Sequence, residues 1–342
     1  MPKRTRKSPP TMREVAKLAN VSQTTVSFII NDVEHVSIPD ETRQRVWDAI
    51  QELGYRPNMT ARSLRTQRSM IIAIMIADIS NALYHNIVRT VQNVARVHNY
   101  DVLIANTDHK YENEKQFCEA VIRRPIDGVI LVPFHLSTQE LDNFVKRTGH
   151  PVVALGQHIE HPEIDIVFAD DEIATRNAIL WLLNQKDHQR VGFIGVPDSF
   201  PPGPRRYRGY ERALREAGFP IDPDLIQNGD FTPGSGYRAM QSLLKLPNRP
   251  TAVFAVNDLM AIGAMGAAHD LGYSIPDDVA IMGFDNIPEC TLVRPRLTTV
   301  AQAPHEIGKC LIEALLSRIE GNAPAARQRF ETKCEIVERE ST

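Results

Sequence analysis

Polar side chains that could bind a small molecule directly follow three apolar runs of the sequence. Asp78 follows IIAIMIA, Asn257 follows AVFA and Asp285 follows VAIMGF. Ligands of parallel sheets bind beyond the carboxyl ends of the strands, so these positions are candidates for a binding site. An Asp or Asn in such a place can equally cap the next helix. A ligand site is favoured because further candidates recur elsewhere in the same part of the chain: Arg206, Phe231 and Gln302.

The sequence carries no motif for catalysis, since it contains no GKS/T P-loop, no GxSxG elbow and no HExxH. GSGYRA at 234–239 matches a dinucleotide fingerprint, but no buried strand precedes it, so a helix start is predicted instead. His158 and His161 lie in a Pro- and Glu-rich stretch without a third ligand, which predicts a surface loop and not a metal site. We therefore expect no enzyme activity, no cofactor and no metal.

The elements that must position these residues form a repeated strand and helix pattern. Seven apolar runs read as buried strands of parallel sheet, and amphipathic, helix-length segments separate most of them. These runs are IIAIMIA, DVLIA, GVILV, VVAL, VGFIG, AVFA and VAIMG. The pattern spans more chain than one such sheet normally does, so it predicts an α/β body of two lobes, each with a doubly wound parallel sheet.

Composition is that of a globular protein, with 42% hydrophobic and 24% charged residues in 342. No stretch approaches the roughly 18 apolar residues that a membrane span needs, and the basic start is not followed by the apolar segment of a secretory signal. The four cysteines are scattered and form no CxxC pair, which fits a reducing compartment. We therefore expect a cytoplasmic protein.

The net charge of −3 hides an asymmetry. Residues 1–70 carry 12 Lys and Arg against 7 Asp and Glu, a net +5, while the remainder carries 27 against 35, a net −8. A basic head on an acidic body is typical of a protein that binds a polyanion through its head.

The basic head predicts three short helices. Thr11 and Glu14 form a capping-box pattern ahead of a helix over about 12–19, and Ser22 can cap a second helix. Ser37 is predicted to cap a third helix, which ends at Gly54. A helix-turn-helix of this kind lays its second helix in the DNA major groove. A helical protein–protein module would show the same apolar pattern, but the charge bias favours DNA.

Three segments give this head a specific resemblance. VSQTTVSFIIN, HVSIPDETRQRV and YRPNMTARSLR resemble the head and hinge of the LacI/GalR family of bacterial transcription regulators. The resemblance implies that the hinge helices of two subunits pair over the minor groove. It also implies that Leu64 wedges between base steps and kinks the duplex, with unstacking offset by added contacts.

By the same resemblance, Gln23 and Thr24 face bases and Ser27 lies near the DNA backbone. Gln suits the adenine edge because its amide can both donate and accept. Family members commonly have Arg where this chain has Phe28, so no guanine contact is implied; Phe28 either touches a thymine methyl or shields its neighbours. The full set of implied DNA-binding residues is Thr11, Ser22, Gln23, Thr24, Thr25, Ser27, Phe28, Asn31, His35, Ser37, Asn58, Ala61, Arg62, Leu64 and Arg65.

The body resembles the effector-binding part of the same family, which is similar to periplasmic sugar-binding proteins. DISNALY, RGYERAL, FAVNDLMAIG, MGFDNIP and PRLTTVAQ carry this resemblance. It implies a cleft lined by Asp78, Asp171, Arg206, Asn257, Asp285 and Gln302, with Phe231 as an aromatic wall and with Tyr84, Phe200 and Tyr207 as second choices. Carboxylates, amides and a planar guanidinium suit vicinal hydroxyls, so a sugar or sugar phosphate is favoured over a purine.

The sequence thus predicts a ligand-responsive DNA-binding transcription regulator, most simply a repressor, that acts as a homodimer on operator DNA. The alternatives are a solute-binding protein of a transport system and an α/β sugar-modifying enzyme with a helical appendage. The expected divisions are 1–57 for the head, 58–69 for the hinge helix and linker, and 70–342 for the effector-binding and dimerisation body. Within the body, the N-terminal lobe is expected at 70–168 and 301–328, and the C-terminal lobe at 169–300 and 329–342.

Overall fold

A computed structural model of the chain describes residues 10–30, 36–55 and 68–342. The chain divides into two units, Met1–Ser69 and Met70–Thr342. No helix among the described residues is long and apolar enough to cross a membrane.

The described part of the smaller unit contains the three predicted helices: α1 (Met12–Leu18), α2 (Gln23–Ile30) and α3 (Asp40–Leu53). The capping box is formed, because the Glu14 amide donates to Thr11 Oγ1 while Glu14 Oε2 accepts from the Thr11 amide at 2.7 Å. Gly54 ends α3 with a φ of +62°, which glycine adopts without steric penalty. The helices share one apolar core that includes the buried side chains of Val15, Val26 and Val46.

The prediction that Ser37 caps α3 is wrong. The helix begins at Asp40, and Pro39 is its N-cap without any side-chain hydrogen bond. Pro39, with its fixed φ, stands directly before the helix and occupies the cap position. Ser37 lies two residues ahead of that position, too early for its side chain to accept from an amide of the first turn.

The larger unit alternates strands and helices. In chain order its elements are β1 (Ile71–Ile76), α4 (Ala82–Val97), β2 (Asp101–Asn106), α5 (Tyr111–Ile122), β3 (Gly128–Leu131), α6 (Thr138–Thr148), β4 (Val152–Leu155), β5 (Asp165–Ala169), α7 (Asp171–Asn184), β6 (Val191–Gly195), α8 (Pro202–Glu216), β7 (Ile226–Asn228), α9 (Pro233–Leu244), β8 (Ala252–Ala255), α10 (Asp258–Asp270), β9 (Ala280–Asp285), β10 (Thr298–Ala301), α11 (Pro304–Glu320), β11 (Arg329–Thr332) and β12 (Glu335–Val337). All seven apolar runs are strands, as predicted. The prediction that all seven are buried is wrong for DVLIA, because β2 is an edge strand on which Leu103 and Ile104 are each 40% exposed. Short 3₁₀ turns occupy Pro223–Leu225 and Pro288–Thr291.

Two six-stranded sheets form the two lobes of this unit. The N-terminal sheet has the order β11-β5-β4-β3-β1-β2 and is parallel throughout. The C-terminal sheet has the order β12-β10-β9-β8-β6-β7, in which β12 alone is antiparallel to its neighbour. The predicted two-lobed α/β architecture is confirmed.

Both faces of the N-terminal sheet are covered. Ile72, Ile74 and Ile76 of β1 belong to one core cluster, while the alternate residues Ala73 and Met75 belong to another. Because successive side chains of a strand point to opposite faces, an unbroken apolar run is what a strand buried on both faces requires.

The chain passes between the lobes three times: after β5, after β10 and after β11. The expected boundary at 329 is wrong, because β11 pairs with β5 in the N-terminal sheet and the last crossing therefore lies between Thr332 and Glu335. The side chains of RFET are too mixed in polarity for the sequence to indicate which sheet receives them. Parallel pairing with β5 decides it.

Candidate functional site

The second helix of the head exposes a polar face. Val26 and Ile29 are buried in the head core, while Gln23 and Thr24 on the opposite side are exposed and Ser27 and Phe28 are partly exposed. The amide of Thr25 donates to Ser22 Oγ at 3.0 Å, so Ser22 begins the helix as predicted. Polar side chains on the helix face that points away from the core are able to reach base edges.

A second candidate site is a cavity between the two lobes of the body. All eight residues assigned to effector binding from the sequence line it: Asp78, Tyr84, Asp171, Arg206, Phe231, Asn257, Asp285 and Gln302. The cavity lies at the carboxyl ends of strands from both sheets, where ligands of doubly wound sheets bind. The structure thus gathers residues that are up to 224 positions apart in the chain.

Arg206, on α8, is the buried cation of this cavity. Its Nε and Nη2 donate to Asp171 Oδ1 at 3.0 and 2.9 Å, and its Nη1 donates to the carbonyl of Val256. The guanidinium also stacks on Phe284, 3.7 Å from the ring centroid. Burial alone would lower the pKa of Arg206, but the carboxylates of Asp171 and Asp285 outweigh it, so the pKa is raised and the group stays charged.

Asp285 presents a carboxylate that amides from both sides of the cavity hold. Its Oδ1 accepts from Gln302 Nε2 at 2.8 Å, and its Oδ2 accepts from Asn81 Nδ2 at 3.4 Å. Burial raises the pKa of Asp285, against the opposing influence of Arg206 and the two amides. The residue has a φ of +117°, a conformation that side chains other than glycine rarely adopt.

Two of the polar residues, Asn257 and Asp78, also bond to the local backbone, and Asp171 holds the side chain of Arg206. Asn257 Oδ1 caps α10 by accepting from the Met260 amide at 2.9 Å, while its Nδ2 donates to the carbonyl of Phe231 at 3.0 Å. Asp78 Oδ1 accepts from the amide of Ser80 at 2.8 Å. Asp171 occupies the first turn of α7 and accepts the two hydrogen bonds of the buried guanidinium. Capping and cavity lining, which the sequence left as alternatives, occur together at Asn257, whereas the helix after Asp78 is capped by Asn81.

Tyr84 is buried, with a side chain 7% exposed that lines the cavity. Burial, reinforced by the charge of Asp285, raises the pKa of its hydroxyl, so the group is neutral and able to donate a hydrogen bond. The other second choices, Phe200 and Tyr207, are not among the residues that line the cavity. Tyr207 packs edge-to-face on Phe193 and stacks on Tyr210 in the C-terminal lobe.

Five aromatic rings meet across the cleft, and we refer to His109, Phe134, His135, Phe200 and Phe231 as the cross-cleft aromatic cluster. The first three belong to the N-terminal lobe and the last two to the C-terminal lobe. His109 stacks on Phe231 at 5.2 Å between centroids, and the ring of Phe134 lies 6.1 Å from that of Phe200. Of these rings, His109, Phe134 and Phe231 line the cavity and form its aromatic end.

Comparison with known proteins identifies the family. The family model for bacterial regulatory proteins of the lacI family matches residues 11–58, and a model for a periplasmic binding protein-like domain matches residues 182–342. The HTH-type transcriptional repressor CytR of Escherichia coli K12 is 37% identical over 336 residues, which cover 97% of this chain and 96% of the relative. The chain belongs to the lacI family.

Solved structures of lacI-family regulators are similar over the whole chain. The transcriptional regulator CelR in complex with cellobiose is 30% identical with a TM-score of 0.73, covering 97% of this chain and 100% of that one. The lac repressor dimer bound to operator and the anti-inducer ONPF is 25% identical with a TM-score of 0.84, covering 98% and 99%. This lacI-family protein is a ligand-responsive, DNA-binding transcription regulator and not an enzyme.

Sequence reasoning missed several residues that line the cleft of this lacI-family regulator: Asn81, His109, Phe134, Gln157, His158 and Arg205. His109, Phe134 and Gln157 follow the ends of β2, β3 and β4 by no more than three residues. The rule that ligands bind beyond strand ends would have found them, but it was applied only to β1, β8 and β9. Arg205 stands beside Arg206, and its Nη2 donates to Asp170 at 3.3 Å.

The stretch at His158 and His161 is a surface loop, as predicted, since His158, Glu160, Pro162 and Glu163 are exposed, but it buries His161. His161 is 3% exposed, its Nδ1 accepts from the Glu163 amide at 3.2 Å, and its Nε2 faces Asp142 Oδ1 at 3.6 Å. His158 lines the cleft and donates to the carbonyl of Pro133 at 3.1 Å. Of the two histidines in this loop between β4 and β5, His161 alone packs inward. No group of three potential metal ligands occurs within residues 10–30, 36–55 and 68–342.

The predicted helix start at GSGYRA is confirmed. Helix α9 begins at Pro233, and Thr232 caps it by accepting from the Ser235 amide at 3.2 Å. Other predictions fall on residues outside the described ranges, namely the DNA contacts of Asn31, His35, Asn58, Ala61, Arg62, Leu64 and Arg65. These contacts, and the DNA contacts assigned to residues of the described head, stay predictions.

Proposed function

We propose that the cleft binds a neutral sugar or sugar derivative and that its occupancy controls operator binding by a homodimer. The observation that carries this proposal is the cavity itself, in which Asp285, Arg206 and Gln302 meet an aromatic wall that includes Phe231. Carboxylate, amide and guanidinium groups suit vicinal hydroxyls, and a ring packs against the C–H face of a sugar. The cellobiose bound by CelR is a sugar ligand in a similar protein.

The charges of the cavity favour a neutral ligand over a phosphorylated one. Arg205 already pairs with Asp170, and Arg206 already pairs with Asp171. Asp78 and Asp285 add negative charge to the wall, while burial lowers the pKa of His109 and favours its neutral form. A phosphate would enter a net acidic site without a cation to spare, and an uncompensated buried charge is strongly disfavoured.

A polar face on α2 supports base readout, with Gln23 and Thr24 as the proposed base contacts and Thr25, Ser27 and Phe28 beside them. Thr11 and Ser22, at capped helix starts that can donate to phosphate, are proposed to lie near the DNA backbone, and Ser37 is proposed to contact DNA beside them. A hinge at 58–69 is proposed to join the head, 1–57, to the body, 70–342. We also propose that the regulator acts in the cytoplasm, where operator DNA is accessible.

The sheet edge at β2 supports dimerisation. Leu103 and Ile104 are each 40% exposed on this edge strand, and an uncovered apolar edge favours association with another chain. The similar lac repressor is a dimer on its operator. In the proposed mechanism, ligand binding changes how the N-terminal lobes of two subunits face each other. That change decides whether residues 58–65 hold as helices on DNA.

Isothermal titration of the full chain with neutral mono- and disaccharides, their phosphates and free nucleobases tests the ligand class. We expect binding of a neutral sugar, loss of that binding in Asp285→Ala, and operator affinity of the variant close to that of the wild type without ligand. Binding of phosphorylated sugars alone would contradict the charge argument. Equal loss of operator binding in Asp285→Ala would show that this residue is needed for the fold.

A further inference from the structure

Glu114, on α5, is a buried carboxylate that no step of effector binding described above uses. Its side chain is 0% exposed, and three consecutive backbone amides donate to it. Phe134 N–H reaches Oε1 at 2.9 Å, while the amides of His135 and Leu136 each reach Oε2 at 3.1 Å. These residues follow β3 and lead into α6, so one side chain fixes the whole connecting loop.

Backbone donors are what hold this charge. In the described part of the chain, Glu114 forms no ion pair with Lys or Arg, and burial raises its pKa against the influence of the three amides. A carboxylate offers two acceptor oxygens, whereas a glutamine of the same shape offers one acceptor and an NH₂ that would face a backbone N–H. The loop geometry is therefore specific for an acidic side chain at this position.

The loop held by Glu114 carries two rings of the cross-cleft aromatic cluster, Phe134 and His135. The third ring of the same lobe is tied to it, because His135 Nε2 donates to the carbonyl of His109 at 2.8 Å. The centroid of His109 lies 4.7 Å from that of Phe134. All three N-terminal members of the cluster thus depend, directly or through one hydrogen bond, on the carboxylate of Glu114.

The opposing rings come from the C-terminal lobe. Phe200 lies 5.6 Å from His135 and 6.1 Å from Phe134, and Phe231 lies 5.2 Å from His109. Edge-to-face and stacked aromatic pairs at these separations stabilise the contact that they form. Since the lobes meet through these rings at the aromatic end of the cavity, their placement affects how readily the cleft closes.

We propose that Glu114 is a positioning residue that orders the N-terminal half of the cross-cleft aromatic cluster and thereby favours the closed cleft. It touches no ligand and acts through Phe134, His135 and His109. The proposal builds on the proposed effector cleft, but its structural part holds without any ligand. Its test is therefore carried out on the protein alone.

Hydrogen–deuterium exchange of the full chain without ligand, read by mass spectrometry, compares Glu114→Gln with the wild type. Loss of hydrogen bonds to a charged group should speed exchange at 134–136 by about tenfold or more. We also expect faster exchange at Phe200 and Phe231 in the opposite lobe. Glu112→Gln makes the same chemical change on an exposed position of α5 and should leave all these rates unchanged.

Two results would overturn the proposal. One is exchange in Glu114→Gln that rises uniformly over the body or only at 134–136, because the carboxylate then does not act across the cleft. The other comes from Phe200→Leu, which removes an opposing ring and leaves Glu114 intact, and which also decides the matter if Glu114→Gln fails to fold. In that variant the amides at 134–136 should stay protected; loss of their protection would show that cleft closure, and not Glu114, orders them.

The sugar titrations and the exchange experiment test the two proposals independently. If no sugar binds but Glu114→Gln loosens both walls, the effector proposal is wrong and the positioning role of Glu114 stands. If a sugar binds and both walls keep their wild-type exchange, the reverse holds.

Discussion

The ion pair between Arg206 and Asp171 offers a quantitative test of how the cleft is built. Arg206→Met removes two hydrogen bonds to Asp171, a third to the carbonyl of Val256, and the stacking on Phe284. Breaking a buried pair by removing one partner destabilises a protein by about 3–5 kcal/mol, because the other charge is left without compensation. The side chain of Asp171 is 17% exposed, so partial hydration should place the loss near 3 kcal/mol.

Replacing Asp171, the carboxylate that Arg206→Met leaves unpaired, with Asn should recover part of this loss of stability. Asp171→Asn alone leaves the guanidinium of Arg206, whose side chain is 6% exposed, without its main anion and should destabilise the protein by about 2 kcal/mol. When both changes are combined, no uncompensated charge remains at this pair. The double variant should therefore be more stable than the sum of the single losses indicates, by about 2 kcal/mol.

Differential scanning calorimetry of the full chain measures this cycle, since the larger unit gives the larger unfolding enthalpy. A loss of 3 kcal/mol should lower the Tm of that transition by about 6–12 °C, at 2–4 °C per kcal/mol for a unit of this size. Arg208→Met is the matched control, because Arg208 lies on the same helix as Arg206 and forms a solvent-accessible ion pair with Glu172. This variant should change the Tm little. Single losses that add within about 0.5 kcal/mol would refute the reasoning, because the two charges would then not depend on each other.

Three further predictions concern pH, packing and DNA. Burial raises the folded-state pKa of Asp285. At a pH between the ordinary Asp pKa and this raised pKa, the folded protein therefore keeps a proton that the unfolded chain has released. The unfolding free energy should therefore fall as pH rises through that interval, and Asp285→Asn should flatten the fall in urea titrations at several pH values. Gly236→Ala should lower the Tm strongly, because its Cβ would lie 2.0 Å from the carbonyl oxygen of Met260, whereas Gly234→Ala, where the closest atom is 3.5 Å away, should not. Leu64→Ala should weaken operator binding in a fluorescence anisotropy titration and leave ligand affinity unchanged; unaltered operator affinity would remove the wedge from the mechanism.

Periodicity in the sequence was enough to predict the three helices of the head and seven of the twelve strands of the body. Val15, Val26 and Val46 each belong to a set of apolar residues at helical spacing, and each set marks the buried side of one helix. Unbroken apolar runs mark strands that helices cover on both faces. These patterns are local, so a single sequence reveals them. The sheet that receives β11 is a matter of distant pairing, for which RFET carries no local signal.

The cleft was predictable in its polar half and largely missed in its aromatic half. Asp78, Asn257 and Asp285 follow long apolar runs, so their position at strand ends is visible in the sequence. His109 and Phe134 follow β2 and β3 after turns, and an aromatic ring in a loop resembles ordinary core until the opposing lobe is seen. Nothing local to Glu114 distinguishes it from the exposed acids of α5, because its three donors lie 20–22 residues away.

Backbone strain in the C-terminal wall shows why buried polar groups surround the cleft. Phe231, Asp285 and Asn286 have φ values of +67°, +117° and +59°, which are unfavourable for residues other than glycine. Such conformations persist only where the surrounding structure holds them. Asn257 holds the carbonyl of Phe231.

Thr299 and Asp258 do the same for the turn after β9. Thr299 Oγ1 accepts from the Asn286 amide at 3.3 Å and donates to Asp258 Oδ1 at 2.6 Å, while Asp258 Oδ2 accepts from the Ile287 amide at 2.9 Å. Burial raises the pKa of Asp258, and the hydrogen bonds from Thr299 and Ile287 oppose that rise. Asn257, which caps α10 and lines the cavity, therefore also holds the carbonyl of Phe231, and the adjacent Asp258 holds the turn that follows Asp285.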